Sequence, residues 1–223
     1  MQLFGRFLIN IQRKELSPMD KYYYEFERVN DYCYPDSFVL KNKLNIQDGD
    51  TLNNLERELT STRMQQALEF PVKGKFDLKH LCDIHEFLFS DIYEWAGELR
   101  NVNIAKGNQF CNCRHLVQYS EGFFKKLHEE EYLTNTAGDE YINRFSYYFS
   151  EINVLHPFRE GNGRTQRVFA EYLARRSGYT LDFSDVTAKE MVEASAKAFA
   201  LEYDELNQLF KKILSPITPE EQI

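Results

Sequence analysis

Twelve consecutive residues hold most of the chemistry in this 223-residue chain: His156-Pro157-Phe158-Arg159-Glu160-Gly161-Asn162-Gly163-Arg164-Thr165-Gln166-Arg167. Proline disfavours helical backbone in the residue before it, so Pro157 presents the His156 imidazole on a loop at a helix end. Gly161 and Gly163 flank Asn162 where the next helix begins, and glycine permits a tight turn and a close approach of backbone to ligand. The unpaired N–H groups of a helix's first turn, backed by the helix dipole, attract an anion. Arg164 and Arg167 lie three apart, hence on one helix face, and can both reach that anion with forked donors. Glu160, in such positive surroundings, suits a Mg²⁺ that phosphate oxygens share. Together these residues read as a polyphosphate cradle with a histidine at its mouth.

Two familiar phosphate motifs are excluded. The Gly-Lys-Ser/Thr ending of a P-loop is missing, and a dinucleotide fingerprint opening at Gly161 would need glycine where Gln166 stands. Taken singly, the residues leave other roles open. His156 could be a buried, satisfied histidine, Arg164 and Arg167 a solvated face pairing with Glu160 and Glu171, and the glycines simple caps. Their coincidence in one short run favours phosphate binding.

The elements that must position this run are mostly helical. Asp77 reads as an N-cap before the apolar series Leu81, Ile84, Leu88, Ile92 and Trp95, which Gly97 closes. Leu116, Tyr119, Phe123 and Leu127 define a second helix, and Ile142, Phe145, Phe149 and Ile152 a third that Pro157 must stop. A fourth starts near Gly163, buries Val168, Phe169, Tyr172 and Leu173, and ends at Gly178. Thr187 with Glu190 makes a capping box for a helix to about Ala200, and Leu206, Leu209, Phe210 and Ile213 complete the set. One segment, Leu99 to Ile104, reads as β, with a turn at Lys106-Gly107-Asn108; a lone hairpin must lie against helices to be stable. The expected fold is a single mainly α domain over residues 30–214 with a β-hairpin flap. Residues 1–29 are an appendage and 215–223 a tail; the first 18 residues are expected to be dispensable, with Met19 a second candidate start.

An apolar fraction of 43% and an aromatic fraction of 15% supply a real core, which excludes wholesale disorder. A net charge of −8 argues against generic binding to nucleic acid or anionic membranes. No apolar run approaches the roughly 20 residues of a membrane span. The four cysteines, Cys33, Cys82, Cys111 and Cys113, are too few and too uneven for a disulfide framework and read as reduced thiols. His80 and His85 fall on different faces of one helix and form no metal motif. Tyr22-Tyr23-Tyr24 reads as a structural aromatic cluster in preference to a modification site.

The twelve-residue run resembles the H-P-F-x-D/E-G-N-G-R-x-x-R signature of the Fic family of nucleotidyl transferases at every defining position. Tyr34-Pro35, the stretch Leu40-Lys41-Asn42-Lys43-Leu44 and Tyr93-Glu94-Trp95-Ala96-Gly97 are similar to further family segments. This resemblance implies a Fic-type helical domain that transfers AMP from ATP to a Tyr, Thr or Ser hydroxyl of a target protein, with pyrophosphate leaving. It makes His156 the general base, neutral near its ordinary pKa of about 6.5. It gives Glu160 the Mg²⁺, Asn162 and the flanking N–H groups of Gly161 and Gly163 the α-phosphate, and Arg164 and Arg167 the outer phosphates. Phe158 is expected to pack beneath the loop. Lys106 and Gly107 on the flap are expected over the nucleotide, and Asn207 or Tyr203 near the adenine. The flap strand at 101–105 would dock the target by strand addition.

Many members are silenced by a helix bearing S/T-x-x-x-E-G/N. Here Ser90 with Glu94 is followed by Trp95, and Thr136 with Glu140 by Tyr141, so neither fits. An inhibitory helix is then either supplied by a separate small antitoxin or absent. The expected location is the cytoplasm, with delivery into another cell as an effector left open. Another nucleotide donor, removal of AMP, or nucleotide binding without turnover are the alternatives to AMP transfer.

Overall fold

The computed structural model describes residues 23–24, 32–106 and 108–217. Seven α-helices occur among them: α1 (Gly49–Glu69), α2 (Leu78–Phe89), α3 (Leu116–Glu129), α4 (Gly138–Leu155), α5 (Asn162–Arg176), α6 (Ala188–Phe199) and α7 (Asp204–Ile213). Five short strands accompany them: β1 (Tyr23–Tyr24), β2 (Ile104–Lys106), β3 (Asn108–Gln109), β4 (Tyr179–Leu181) and β5 (Leu214–Pro216). The dispensability of residues 1–18, and Tyr22 and Gly107, lie outside the described residues.

The predicted caps are present. The Asp77 carboxylate accepts from the His80 N–H at 2.8 Å, and both halves of the Thr187–Glu190 capping box form. α5 is the centre of the bundle, packed on α1, α2 and α4. Its buried Gln166 donates to the Phe149 carbonyl of α4 at 2.6 Å, which fixes the two helices that flank the loop at 156–161. Val168, Phe169, Tyr172 and Leu173 are buried as their spacing predicts.

Four local features differ from the sequence expectation. α1 carries no strong apolar stripe; it buries Leu52, Glu56, Thr60 and Ala67, so half of its inward face is polar. α2 stops at Phe89 rather than running to Gly97. The Lys43 N–H takes the Ile92 carbonyl at 2.8 Å, and Arg63 grips Asp91 through two hydrogen bonds of 2.8 and 3.0 Å. The hairpin strand begins at Ile104, not Leu99, because the preceding stretch is anchored by a buried arginine described below. A second ribbon, β4 antiparallel to β5, joins Tyr179–Leu181 to the residues just after α7, so Ser215 and Pro216 are paired rather than trailing.

Beneath the hairpin sits a small cluster of Val102, Ile104 and Phe110, separate from the main core, with Tyr32 and Phe199 against it. The hairpin belongs to a three-stranded sheet in the order β1-β2-β3.

Candidate active site

His156 closes α4 in left-handed backbone, with φ 42° and ψ 60°. That conformation costs a non-glycine residue about 1 kcal/mol, and its neighbours hold it. The His156 N–H donates to the Ile152 carbonyl at 3.1 Å. Its carbonyl accepts from the Arg100 Nε–H at 2.8 Å. The ring lies on the Phe110 face, centroids 3.8 Å apart and planes within 11°. Nδ1 meets the Asn153 carbonyl at 3.1 Å. A carbonyl only accepts, so the proton is on Nδ1 and the lone pair on Nε2. Burial pushes the imidazole pKa down to about 3, and Arg100 and Lys106 push in the same direction. The ring is therefore neutral at pH 7, as expected. Its basicity, however, is well below the ordinary value that the sequence reading assumed, because only 6% of the residue is exposed.

Asn162 is bound on both ends by one residue. Its Oδ1 accepts from the Phe158 N–H and its Nδ2 donates to the Phe158 carbonyl, each at 2.8 Å. The side chain is thus a staple of the loop. Phe158 is fully buried, as expected, stacked on His85 at 3.9 Å. His85 itself ties two loops: its Nδ1 accepts from the Gly97 N–H at 2.8 Å and its Nε2–H donates to the Glu160 carbonyl at 3.0 Å. His80 does the same between Phe76 and Val72. Both are structural histidines.

The two glycines of the run have different reasons. Gly161 is the N-cap of α5 at φ +80°, and a Cβ there would lie 2.3 Å from the Phe89 ring. Backbone and packing both demand glycine. A Cβ on Gly163 would meet nothing within 4 Å. The space above it is open, and it adjoins a helix start with no side-chain cap. The first intrahelical bond there is from the Thr165 N–H to the Gly161 carbonyl at 3.1 Å. The N–H groups of Asn162, Gly163 and Arg164 precede it and have no partner within the helix.

Arg164 and Arg167 are not equivalent. Arg164 donates to Glu56 Oε1 at 2.5 Å and to Thr60 Oγ1 at 3.0 Å, lies 3.6 Å from Glu160, and covers the Phe89 ring at 4.8 Å. The Tyr93 hydroxyl donates to the other Glu56 oxygen. Arg167 makes no ion pair among the described residues; its guanidinium lies 5.5 Å from the Phe183 ring. Glu160 accepts from the Gly161 N–H at 2.9 Å. Burial and the nearby Glu56 carboxylate raise its pKa, while Arg164 opposes them. The Glu56 and Glu160 carboxylates both lie on the Arg164 guanidinium, and the charge of Arg159 also acts on Glu160. The Glu160 side chain keeps 29% exposure, so it can be reached. No group of three or more His, Cys, Asp or Glu that could hold a metal occurs among the described residues. One carboxylate with phosphate and water oxygens is nonetheless a usual way to hold Mg²⁺, so Glu160 fits that ion.

Loop and helix thus bring together His156, Glu160, Gly161, Asn162, Gly163, Arg164 and Arg167, and Lys106 approaches from the exposed tip of β2. Asn207 stands apart. It bonds Asn143 of α4 at 2.8 Å, about 20 Å along that helix from His156 at 1.5 Å per residue. Sequence reasoning missed Glu56, Thr60, Tyr93 and Arg100. For Arg100 a signal existed: a lone arginine between the apolar Leu99 and Val102.

The Fic/DOC family model matches residues 75–174, which include the entire run from His156 to Arg167. The protein adenylyltransferase VbhT of Bartonella schoenbuchensis is 37% identical over 196 residues, which are 87% of this chain and 41% of that protein. A Salmonella typhimurium protein named "Probable protein adenylyltransferase Fic" is 36% identical over 186 residues, covering 82% of this chain and 92% of that one. The chain belongs to the Fic/DOC family. By that kinship it is an enzyme of the adenylyltransferase class. Among solved structures, the N-terminal Fic domain of a VirB-translocated Bep effector from Bartonella quintana, with bound ADP, superposes with a TM-score of 0.80 at 30% identity. The match covers 85% of this chain and 96% of that domain. This Fic chain spans less than half of VbhT, and no helix among its described residues is long and apolar enough to cross a membrane.

Proposed function

We propose that the chain transfers AMP from ATP to a Tyr, Thr or Ser hydroxyl of a target protein and releases pyrophosphate. The observation that carries this reading is the juxtaposition of a neutral imidazole, its lone pair on Nε2, with an open, uncapped helix start. The N–H groups of Asn162, Gly163 and Arg164 would receive the inner phosphates, and Arg167, which makes no ion pair among the described residues, the outer ones. Lys106 and Gly107 would close over the nucleotide from the flap. Glu160 is the residue that would hold Mg²⁺, which when bound supplies charge neutralisation at the phosphates. His156 Nε2 takes the hydroxyl proton as the oxygen attacks the α-phosphorus and the bond to pyrophosphate breaks. Such base catalysis contributes about 10²–10⁴-fold, and positioning supplies much of the rest.

The target would add to the flap at 101–105 as a strand. An inhibitory helix, if the protein is controlled in that way, would come from a separate antitoxin, since neither Glu94 nor Glu140 sits in a matching sequence. The work place would be a cytoplasm. The VirB-translocated neighbour supports that of a recipient cell.

The test is incubation with Mg²⁺ and α-labelled ATP, alone and in lysate, beside His156→Ala. Label on protein that requires His156 is the expected result. Nucleotide binding without transfer, or transfer of a γ-label, would overturn the reading.

A further inference from the structure

The flap strand is not free. β2 lies in the middle of its sheet, with β3 on one edge and the chain's own β1 on the other. Tyr23 pairs with Ala105 and Tyr24 with Ile104, antiparallel. This is the strand that leads to the base: the Phe110 N–H donates to the Ile104 carbonyl at 3.3 Å, and the Phe110 ring carries the His156 ring. A target adding a strand here must first displace residues 23–24.

From this pairing we propose that the N-terminal segment is an intramolecular competitor of the protein target, holding the docking edge by its backbone. The proposal rests on the reading of the flap as the target's docking strand. Two paired residues form a weak ladder, so the occupant can be displaced. It is nevertheless tethered. Seven residues separate Tyr24 from Tyr32. Tyr32 is anchored beside the flap: its hydroxyl accepts from the Asn101 N–H at 3.3 Å, its ring meets Trp95 edge-on at 5.8 Å, and Arg159 lies 5.7 Å from it. A short tether gives an effective concentration in the mM range. Peptides that add weakly are therefore shut out, and a target with a longer complementary strand is selected. Tyr23 and Tyr24 gain a role through strand propensity and main-chain pairing.

The test uses the full chain and two double variants. Tyr23→Pro with Tyr24→Pro removes the N–H groups needed for pairing. Tyr23→Val with Tyr24→Val keeps a strand and removes the hydroxyls. Amide hydrogen exchange over residues 101–106 should quicken in the proline variant and not in the valine variant; equal exchange in all three overturns the proposal. With α-labelled ATP, the proline variant should show a KM for protein target about 3–30-fold lower at unchanged kcat. A labelled peptide of residues 18–28 should bind the proline variant more tightly than the full chain and inhibit it competitively. If His156-dependent transfer occurs with the same KM in all three, competition is refuted while the adenylylation reading stands. If no form transfers AMP, the adenylylation reading fails, and the peptide decides occupancy: tighter binding to the proline variant supports it and equal binding refutes it.

Discussion

The Arg100 guanidinium donates its Nε–H to the carbonyl of His156 at 2.8 Å, from a side chain that is 2% exposed and has no carboxylate partner among the described residues. Its other donors reach the carbonyls of Val102 at 2.7 Å, Leu155 at 3.4 Å, and Cys111. Its own N–H meets the Pro157 carbonyl at 2.9 Å. One buried cation thus binds both arms of the flap to the loop that presents His156. Loss of the fork leaves several buried carbonyls unsatisfied, at about 1–3 kcal/mol each.

Arg100→Lys should separate a positioning effect on His156 from a purely structural one. Lysine keeps the charge and cannot span four carbonyls. Nucleotide affinity should be unchanged while kcat falls about 10²-fold, the usual cost of a reacting group displaced by an ångström. Single-turnover kinetics beside nucleotide binding measure this. A purely structural role would lower the melting temperature and leave kcat of the folded fraction intact.

The pH profile should lack the ordinary histidine inflection. With the neutral ring as the proposed base, and with burial holding its pKa near 3 against a usual 6.5, kcat/KM should not fall on passing from pH 7 to pH 5.5. Lys106→Met removes a positive charge that disfavours protonation, and the acid limb should move toward higher pH. The same shift bears on stability. Below about pH 6.5 the unfolded chain protonates His85 and His156 while the fold does not, so their contribution is complete above that pH and is lost as pH falls toward 3. His85→Gln should flatten the dependence of the urea midpoint between pH 6.5 and 5, by up to about 1.4 kcal/mol per pH unit.

Gly161→Ala and Gly163→Ala should act in opposite ways. The first drives a Cβ into the Phe89 ring at positive φ and should cost about 2–4 kcal/mol. The second adds a methyl into open space at a helical position and should stabilise by about 0.5–1 kcal/mol. It should also weaken nucleotide binding at least tenfold. Calorimetry with nucleotide titration checks both. A Gly163→Ala protein that binds ATP normally would refute the approach of phosphates at that point.

Arg164 and Arg167 should likewise separate. Glu56→Gln or Arg164→Gln breaks the pair with Glu56 and should cost about 2–4 kcal/mol of stability. Arg167→Gln breaks no ion pair among the described residues and should leave the melting temperature nearly unchanged while weakening ATP binding. Glu56→Gln also removes a charge that raises the Glu160 pKa, so NMR titration should show Glu160 ionising at lower pH.

Helix α1 shows why part of the site was illegible in the sequence. Hydrophobic periodicity reports faces buried against carbon, and the inward face of α1 is half polar because Glu56 and Thr60 are turned to Arg164. The end of α2 was misplaced for a related reason. Ile92 and Trp95 continue its apolar spacing, but they are held by Lys43, Tyr93 and Tyr32 in turns beyond the helix. By contrast, the caps at Asp77 and Thr187, the stop at Pro157 and the buried face of α5 depend on neighbours within a few residues, and they could be read directly.

By itself the sequence determined the family, the helical class of the fold and the order of histidine, carboxylate, glycines and arginines, since all these follow from residue types at short spacing. Tertiary structure alone decided that one arginine is neutralised by a helix about a hundred residues away, that the His156 ring is buried against Phe110, and that Arg100 unites flap and loop. It also decided that the flap edge is filled by the chain's own N-terminal strand. Ion pairing, desolvation and strand pairing depend on which distant groups fold to the same point, and no local pattern records that.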